Sequence, residues 1–311
     1  MKLFKIFLFL LLLFVEQVSQ AETLKVSIGL NWYPEVEHGG YFAAEALGYY
    51  NEDPNLNIQL LSGGPNVPLV AQLASGKIDF AVMNADDVLL AREQGIPLVS
   101  VAGGIDQSPL CLMVHEKSPI KNYDDLQEVT LFLSPSGPFT HYLKRKYPLN
   151  KVTIVPNTGS VAPFLINKAS VSQAYVFSEP LIAEDNGVLT RCLPAAGAGF
   201  NPYTSILVTT EKKIQTDPLI VKKIAVSSIK GWREYLRDPK PAHALIEKKN
   251  KLMTNAFLNR AYQKVKPLIS SQGDELVARM DLKRWQELVS QLKMAGLITK
   301  NLDVTTFVKN Q

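Results

Sequence analysis

Short apolar runs alternate with segments of helical periodicity along most of this chain. Residues 24–30 form the first run and read as a strand buried on both faces. Residues 57–61, 79–83 and 98–102 follow in the same manner, with helices predicted to start near Gly39, Val67 and Ala85. A second set repeats the rhythm at residues 129–133, 152–155 and 172–177, with helices near Pro138, Val161 and Glu179. Strand–helix alternation predicts a mostly parallel sheet flanked by helices, and here it occurs twice. The expected fold class is therefore α/β, with two similar lobes.

Two segments fall between the sets and resemble each other, residues 107–114 and 201–208. Each holds a Pro that pins the backbone before an extended apolar run, and each then meets charged residues. They read as a pair of crossover strands that carry the chain from one lobe to the other and back. The lobes then comprise residues 22–108 with 205–311, and residues 109–204. From about Asp217 the pattern is helical and Lys-rich, a C-terminal extension on the first lobe. Trp232, Tyr235, Trp285 and Leu288 stand at helical spacings and are expected in its core.

The N-terminus changes the picture of where the chain works. Lys2 and Lys5 precede ten apolar residues, 6–15, too few for the roughly 20 that a bilayer span needs. Ser19-Gln20-Ala21 supplies small residues for cleavage, so residues 1–21 read as a removable export signal and the periplasm as the destination. No Cys follows the apolar run to carry a lipid. Removing Lys2, Lys5 and Glu16 from 33 basic and 29 acidic side chains leaves a formal charge of +3. That mild balance, without a long basic run, speaks against nucleic acid as a partner. Cys111 and Cys192 either pair in an oxidising compartment or remain two buried thiols.

Candidate chemistry sits at the strand-to-helix turns. In an open α/β sheet these gather beyond the carboxyl ends of the strands, where ligands bind. Asn31, Trp32 and His38 occupy the first turn, Gly64 and Asn66 the second, Asn84 and Asp86 the third, and Ser136 a turn of the second lobe. Glycines allow close backbone approach, and Asn or Ser accept from free helix-start amides. Helix capping alone accounts equally for Asn84, Asn66 and Ser136. Tyr175 and Glu179 close the last strand of the second set, where a carboxylate is placed to accept two hydrogen bonds from an amino-substituted ring. Gln107 and Tyr203 join the list from the two crossings. The four histidines are scattered and no Cys-x-x-Cys occurs, so neither a metal site nor a cofactor is expected. Nucleophile-elbow and phosphate-loop motifs are missing as well.

Three stretches carry a resemblance. Trp32-Tyr33-Pro34 with His38-Gly39-Gly40-Tyr41, residues 75–80 with Asn84-Ala85-Asp86, and Ser178-Glu179-Pro180-Leu181 with Asn201-Pro202-Tyr203-Thr204 together resemble periplasmic solute-binding proteins of the thiamine-pyrimidine-precursor type. These are relatives of sulfonate- and nitrate-binding proteins. The resemblance implies a type II periplasmic-binding-protein fold, a hinge closure around ligand and delivery to an ABC transporter permease. It implies that Trp32 stacks on an aminopyrimidine and Glu179 binds its amine. Fungal relatives synthesise the thiamine pyrimidine with a cysteine-rich iron motif. This chain has two cysteines in all, so a monomeric binding protein rather than an enzyme is expected. Sulfonate-, nitrate- or flavin-type ligands remain alternatives.

Overall fold

The computed structural model describes residues 23–310; the expected export signal lies outside the described residues. Strand β1 (Leu24–Gly29) pairs in parallel with β2 (Leu56–Leu61) on one side and β3 (Phe80–Met83) on the other. β4 (Leu98–Ala102) is fully buried, as its unbroken apolar run requires. A much later strand, β10 (Ile206–Thr210), enters between β3 and β4, antiparallel to both. The first sheet thus has the order β2-β1-β3-β10-β4.

The second sheet repeats this plan. It consists of β5 (Leu110–His115), β6 (Thr130–Leu133), β7 (Thr153–Pro156), β8 (Ser170–Tyr175) and β9 (Thr190–Pro194), ordered β7-β6-β8-β5-β9. β5 runs antiparallel to β8 and β9, and β6 parallel to β7 and β8. In each sheet the single reversed strand is the one that has just crossed from the other lobe. The two crossover strands therefore do not lie side by side. They meet only just before they begin, where Ile105 N–H donates to the Thr204 carbonyl at 2.8 Å and Thr204 N–H to the Ile105 carbonyl at 3.1 Å. Gly104 permits this crossing, since a Cβ there would stand 2.0 Å from the Ser205 carbonyl oxygen. Ser205 itself adopts a left-handed φ of 54°.

β9 escapes sequence expectation. It is five residues long at a sheet edge and carries Arg191 and Pro194, which weaken an apolar pattern. A disulfide joins Cys192 on this strand to Cys111 on β5, with Cα atoms 5.6 Å apart. Of the two sequence alternatives, pairing is the one found.

Helices α1 (Gly39–Ala46), α2 (Leu69–Ala74) and α3 (Ala85–Glu93) follow the strands of the first sheet, and α4 (Pro138–Lys146), α5 (Ala162–Ile166) and α6 (Glu179–Asp185) those of the second. The C-terminal helices are α7 (Glu211–Thr216), α8 (Pro218–Arg237), α9 (Lys240–Lys249), α10 (Asn255–Ile269) and α11 (Leu282–Met294). Trp232, Tyr235, Trp285 and Leu288 are buried in the core, as their helical spacing predicts. Two expected helix starters differ. Asn66 sits at a left-handed φ of 66°, and α2 begins only after Pro68. The ring of Pro68 disfavours helical geometry at Val67, which delays the start. Ser136 likewise is not the cap of α4; Gly137 holds that position. Among the described residues no helix is long and apolar enough to cross a membrane.

Candidate functional site

The turn after β1 builds the first wall of the cleft. Glu35 precedes one 3-10 turn, Val36–His38, that buries Glu35, Glu37 and His38 together. The Glu35 N–H donates to His38 Nδ1 at 3.4 Å, which leaves the hydrogen on Nε2 to donate to Asn31 Oδ1 at 2.9 Å. Asn31 Nδ2 in turn donates to Glu37 Oε1 at 3.0 Å, and His38 Nε2 lies 3.3 Å from the same oxygen. Burial lowers the His38 pKa to about 3, so the imidazole is neutral. Glu37 is pushed up to about 7, first by burial and further by Glu179, while the Asn31 hydrogen bond opposes the rise. Glu35 is raised as well, by burial and then by Glu37 and Glu179.

The turn after β3 supplies the neighbouring wall. Asn84 caps α3 in a reciprocal box, its own N–H donating to Asp87 Oδ2 at 3.2 Å. Its Oδ1 accepts from the Ser205 N–H at 3.4 Å, tying this turn to the crossing. Asp86, beside it in the first helical turn, is buried, and its pKa rises to about 8 through burial and the adjacent Asp87. Two carboxylate oxygens in these walls, Glu37 Oε2 and Asp86 Oδ1, are buried without any hydrogen-bond partner. Such orphans cost about 1–3 kcal/mol each, more when charged.

The second lobe faces them with Tyr175 and Glu179. Asn84 Nδ2 donates to the Tyr175 hydroxyl at 3.4 Å, a contact between lobes. Burial, then the charges of Glu37 and Asp86, hold the Tyr175 phenol protonated. Glu179 opens α6 and folds back, its Oε2 accepting the Tyr175 N–H at 2.8 Å; burial raises its pKa. Among the described residues no Lys or Arg forms an ion pair with Glu35, Glu37, Asp86, Asp87 or Glu179. The walls are rich in acceptors and acid. They offer acceptors, and donors wherever a raised pKa keeps a carboxyl protonated, but no cation to pair with an anion.

The remaining sequence candidates take varied places. Trp32 is 41% exposed and meets Tyr33 edge-on, ring centroids 5.5 Å apart. Tyr33 leans over Gly64, where a Cβ would stand 3.0 Å from the ring. Asn66 and Ser136 are exposed at their turns. Gln107 donates its N–H to the Leu268 carbonyl at 2.9 Å, beside the crossing. Tyr203 is buried under the Arg284 guanidinium, 3.9 Å from its ring centre, and its hydroxyl accepts the Asp281 N–H at 2.8 Å. Its side chain therefore braces the crossing. Glu35, Glu37 and Asp87 were not among the sequence candidates, although an acidic pair flanking Val36 directly before His38 is a visible signal.

Two α/β lobes facing across such a polar cleft have the periplasmic-binding-protein fold. The periplasmic aliphatic sulphonate binding protein SsuA from Escherichia coli matches it with a TM-score of 0.69 at 13% identity, over 91% of each chain. Residues 35–242, more than half of the chain, match the family model described as NMT1/THI5 like, and the chain belongs to that family. It is 23% identical to the riboflavin-binding protein RibY of Chloroflexus aurantiacus, over 94% of this chain and 87% of that one. A shorter match, 26% identical over 33% of this chain and 32% of the other, is to a 4-amino-5-hydroxymethyl-2-methylpyrimidine phosphate synthase of Legionella pneumophila. Named binding proteins and named enzymes thus both occur among similar chains.

Proposed function

We propose that this chain is the exported substrate-binding component of an ABC importer. It captures a small planar nitrogen heterocycle, of the thiamine-precursor pyrimidine class, between lobes that divide near residues 108/109 and 204/205. The carrying observation is the character of the cleft: acceptor-rich walls without an ion-paired cation, next to an exposed indole. A ring with amino substituents pairs with such acceptors, whereas a sulfonate finds no cationic partner among the residues of these walls. The fold relationship to a sulphonate binding protein therefore extends to architecture and not to ligand chemistry. Export is supported by the basic and apolar N-terminus with its Ser-Gln-Ala site, and delivery to a permease by the family.

Isothermal titration with pyrimidines, flavins and alkanesulfonates tests the reading. Trp32→Ala is expected to weaken heterocycle binding by roughly 1–3 kcal/mol, about tenfold to a hundredfold. Unchanged affinity removes Trp32 from the site, and tight sulfonate binding overturns the ligand class. An enzyme of the pyrimidine-synthase branch is the second reading, favoured by the named synthase among similar chains. Turnover of a bound pyrimidine, followed by mass spectrometry, separates it from simple capture.

A further inference from the structure

Helix α11 touches both lobes, packing against α3 of the first and α4 of the second. It is fixed to the first lobe, since Trp285 meets Phe307 edge-on and the Phe307 carbonyl accepts the N–H of Ser100 on β4 at 2.9 Å. From its first turn Arg284 reaches both crossing segments. Nε donates to the Asn201 carbonyl at 2.9 Å, Nη1 to Asp106 Oδ1 at 2.8 Å and Nη2 to the Asp106 carbonyl. Gln291, two turns along the same face, donates to the Gly199 carbonyl at 2.6 Å. The crossings are also tied to each other, as Asn201 Oδ1 accepts the Ser108 N–H at 2.8 Å. Asp106, Asn201 and Gly199 all lie on the second lobe's side of the Ile105–Thr204 bridge. A helix seated in the first lobe therefore grips the chain beyond the pivot.

Resting on the proposed capture of ligand between closing lobes, we infer that Arg284 is a positioning residue of the hinge. It fastens the crossings to α11 and so holds the ligand-free lobes in the near arrangement in which Asn84 meets Tyr175. Swinging the second lobe away carries Asp106 and Asn201 with it and draws them off the guanidinium. The Arg284 and Asp106 side chains are only 16% and 12% exposed, so water weakens this pair less than it does pairs on the surface. A planar fork serves two carbonyls and a carboxylate at once, which the single ammonium of Lys does not reproduce.

Nitroxide labels on Leu219→Cys in the first lobe and Ile166→Cys in the second, both exposed, report the distance between lobes by pulsed electron spin resonance. The two native cysteines are paired and take no label. In ligand-free protein Arg284→Lys should add a longer-distance population to that of the labelled parent. Its affinity for 4-amino-2-methylpyrimidine should fall about threefold to tenfold, as fewer molecules start near closure. A merely structural Arg284 would lower the unfolding midpoint and leave the distances as they were. Gln291→Ala loses one hydrogen bond at the surface, should shift the distances in the same direction by less, and decides the matter if Arg284→Lys does not fold. Distance distributions that coincide with the parent in both variants overturn the inference and leave ligand capture standing. The distances need no ligand, so they decide it even where the probe fails to bind and the heterocycle reading falls.

Discussion

Glu37 and His38 are neighbours in one turn, and burial drives their proton equilibria in opposite directions. Glu37 has its pKa raised from 4.5 to about 7, and Asp86 from 3.8 to about 8, so folding takes up protons at both between those limits. The stability they contribute is present below their unfolded values and is lost as pH rises through 7 and 8. His38, lowered from 6.5 to about 3, does the reverse: its contribution is complete above 6.5 and is lost as pH falls. Below about pH 6.5 the gain from His38 offsets part of the carboxyl loss, so ligand-free protein should lose stability most clearly from about pH 6.5 to about pH 8, Glu37 accounting in all for up to about 3 kcal/mol. Urea denaturation of Glu37→Gln across this range should give a shallower decline than the wild type; parallel curves would show that the carboxyl is not held in its protonated form. That Trp32, Asn84 and Glu179 stand in the turns after strands was readable in the sequence, because an apolar run precedes each. The burial of Glu35 and Glu37 was not, since acidic residues in a turn are normally solvated. Their burial depends on partners far along the chain, such as Asn250, whose Nδ2 donates to the Pro34 carbonyl at 3.0 Å.

Among the elements, α1 carries the turn of Glu37 and His38 into place, and its seat on α8 is made of glycines. A Cβ on Gly231 would stand 2.1 Å from the Gly40 carbonyl oxygen, and one on Gly40 would stand 2.1 Å from the Trp232 indole. Neither glycine has a left-handed φ, so close approach of two helices is what each permits. Gly231→Ala should destabilise the protein by about 1–3 kcal/mol or more, through overpacking that displaces α1. Gly197→Ala, which meets nothing within 4 Å, is the control expected to be nearly neutral. Thermal unfolding compares the two, and equal midpoints would remove the argument for a tight crossing. The sequence made α1 and α8 legible as helices, since the apolar faces of Trp232 and Tyr235 repeat at helical spacing. It did not reveal that they cross at glycines, because such a contact joins residues nearly two hundred positions apart. β9 was missed for a related reason: five residues with one Arg and one Pro acquire strand character only by pairing with β5.

At the scale of the whole molecule, the two-lobed plan was legible because both halves repeat the same strand–helix rhythm, and the crossings were marked by their Pro-led apolar runs. What holds the lobes against each other was not, since it depends on side chains brought together by folding. Arg260 on α10 reaches the opposite lobe, where its guanidinium bonds Asp185 Oδ1 at 2.5 Å and Glu184 Oε2 at 2.9 Å. Both acidic residues belong to α6, the helix that Glu179 begins. These pairs are partly exposed, so each is worth at most about 1 kcal/mol and is weakened by salt. Fold stability should hardly change when they are lost, but a binding protein that closes on its guest gains affinity from whatever favours the closed arrangement. Arg260→Ala is therefore expected to release bound heterocycle about threefold to fivefold faster, with an unfolding midpoint close to that of the wild type. Raising ionic strength should speed release from the wild type toward the rate of the variant, and leave the variant itself little affected. Stopped-flow displacement of 4-amino-2-methylpyrimidine at low and high salt reads both effects. Equal release rates at low salt would mean that the Arg260 contacts decorate the closed surface without holding it shut, and would leave the burden of closure to the crossing at Ile105 and Thr204.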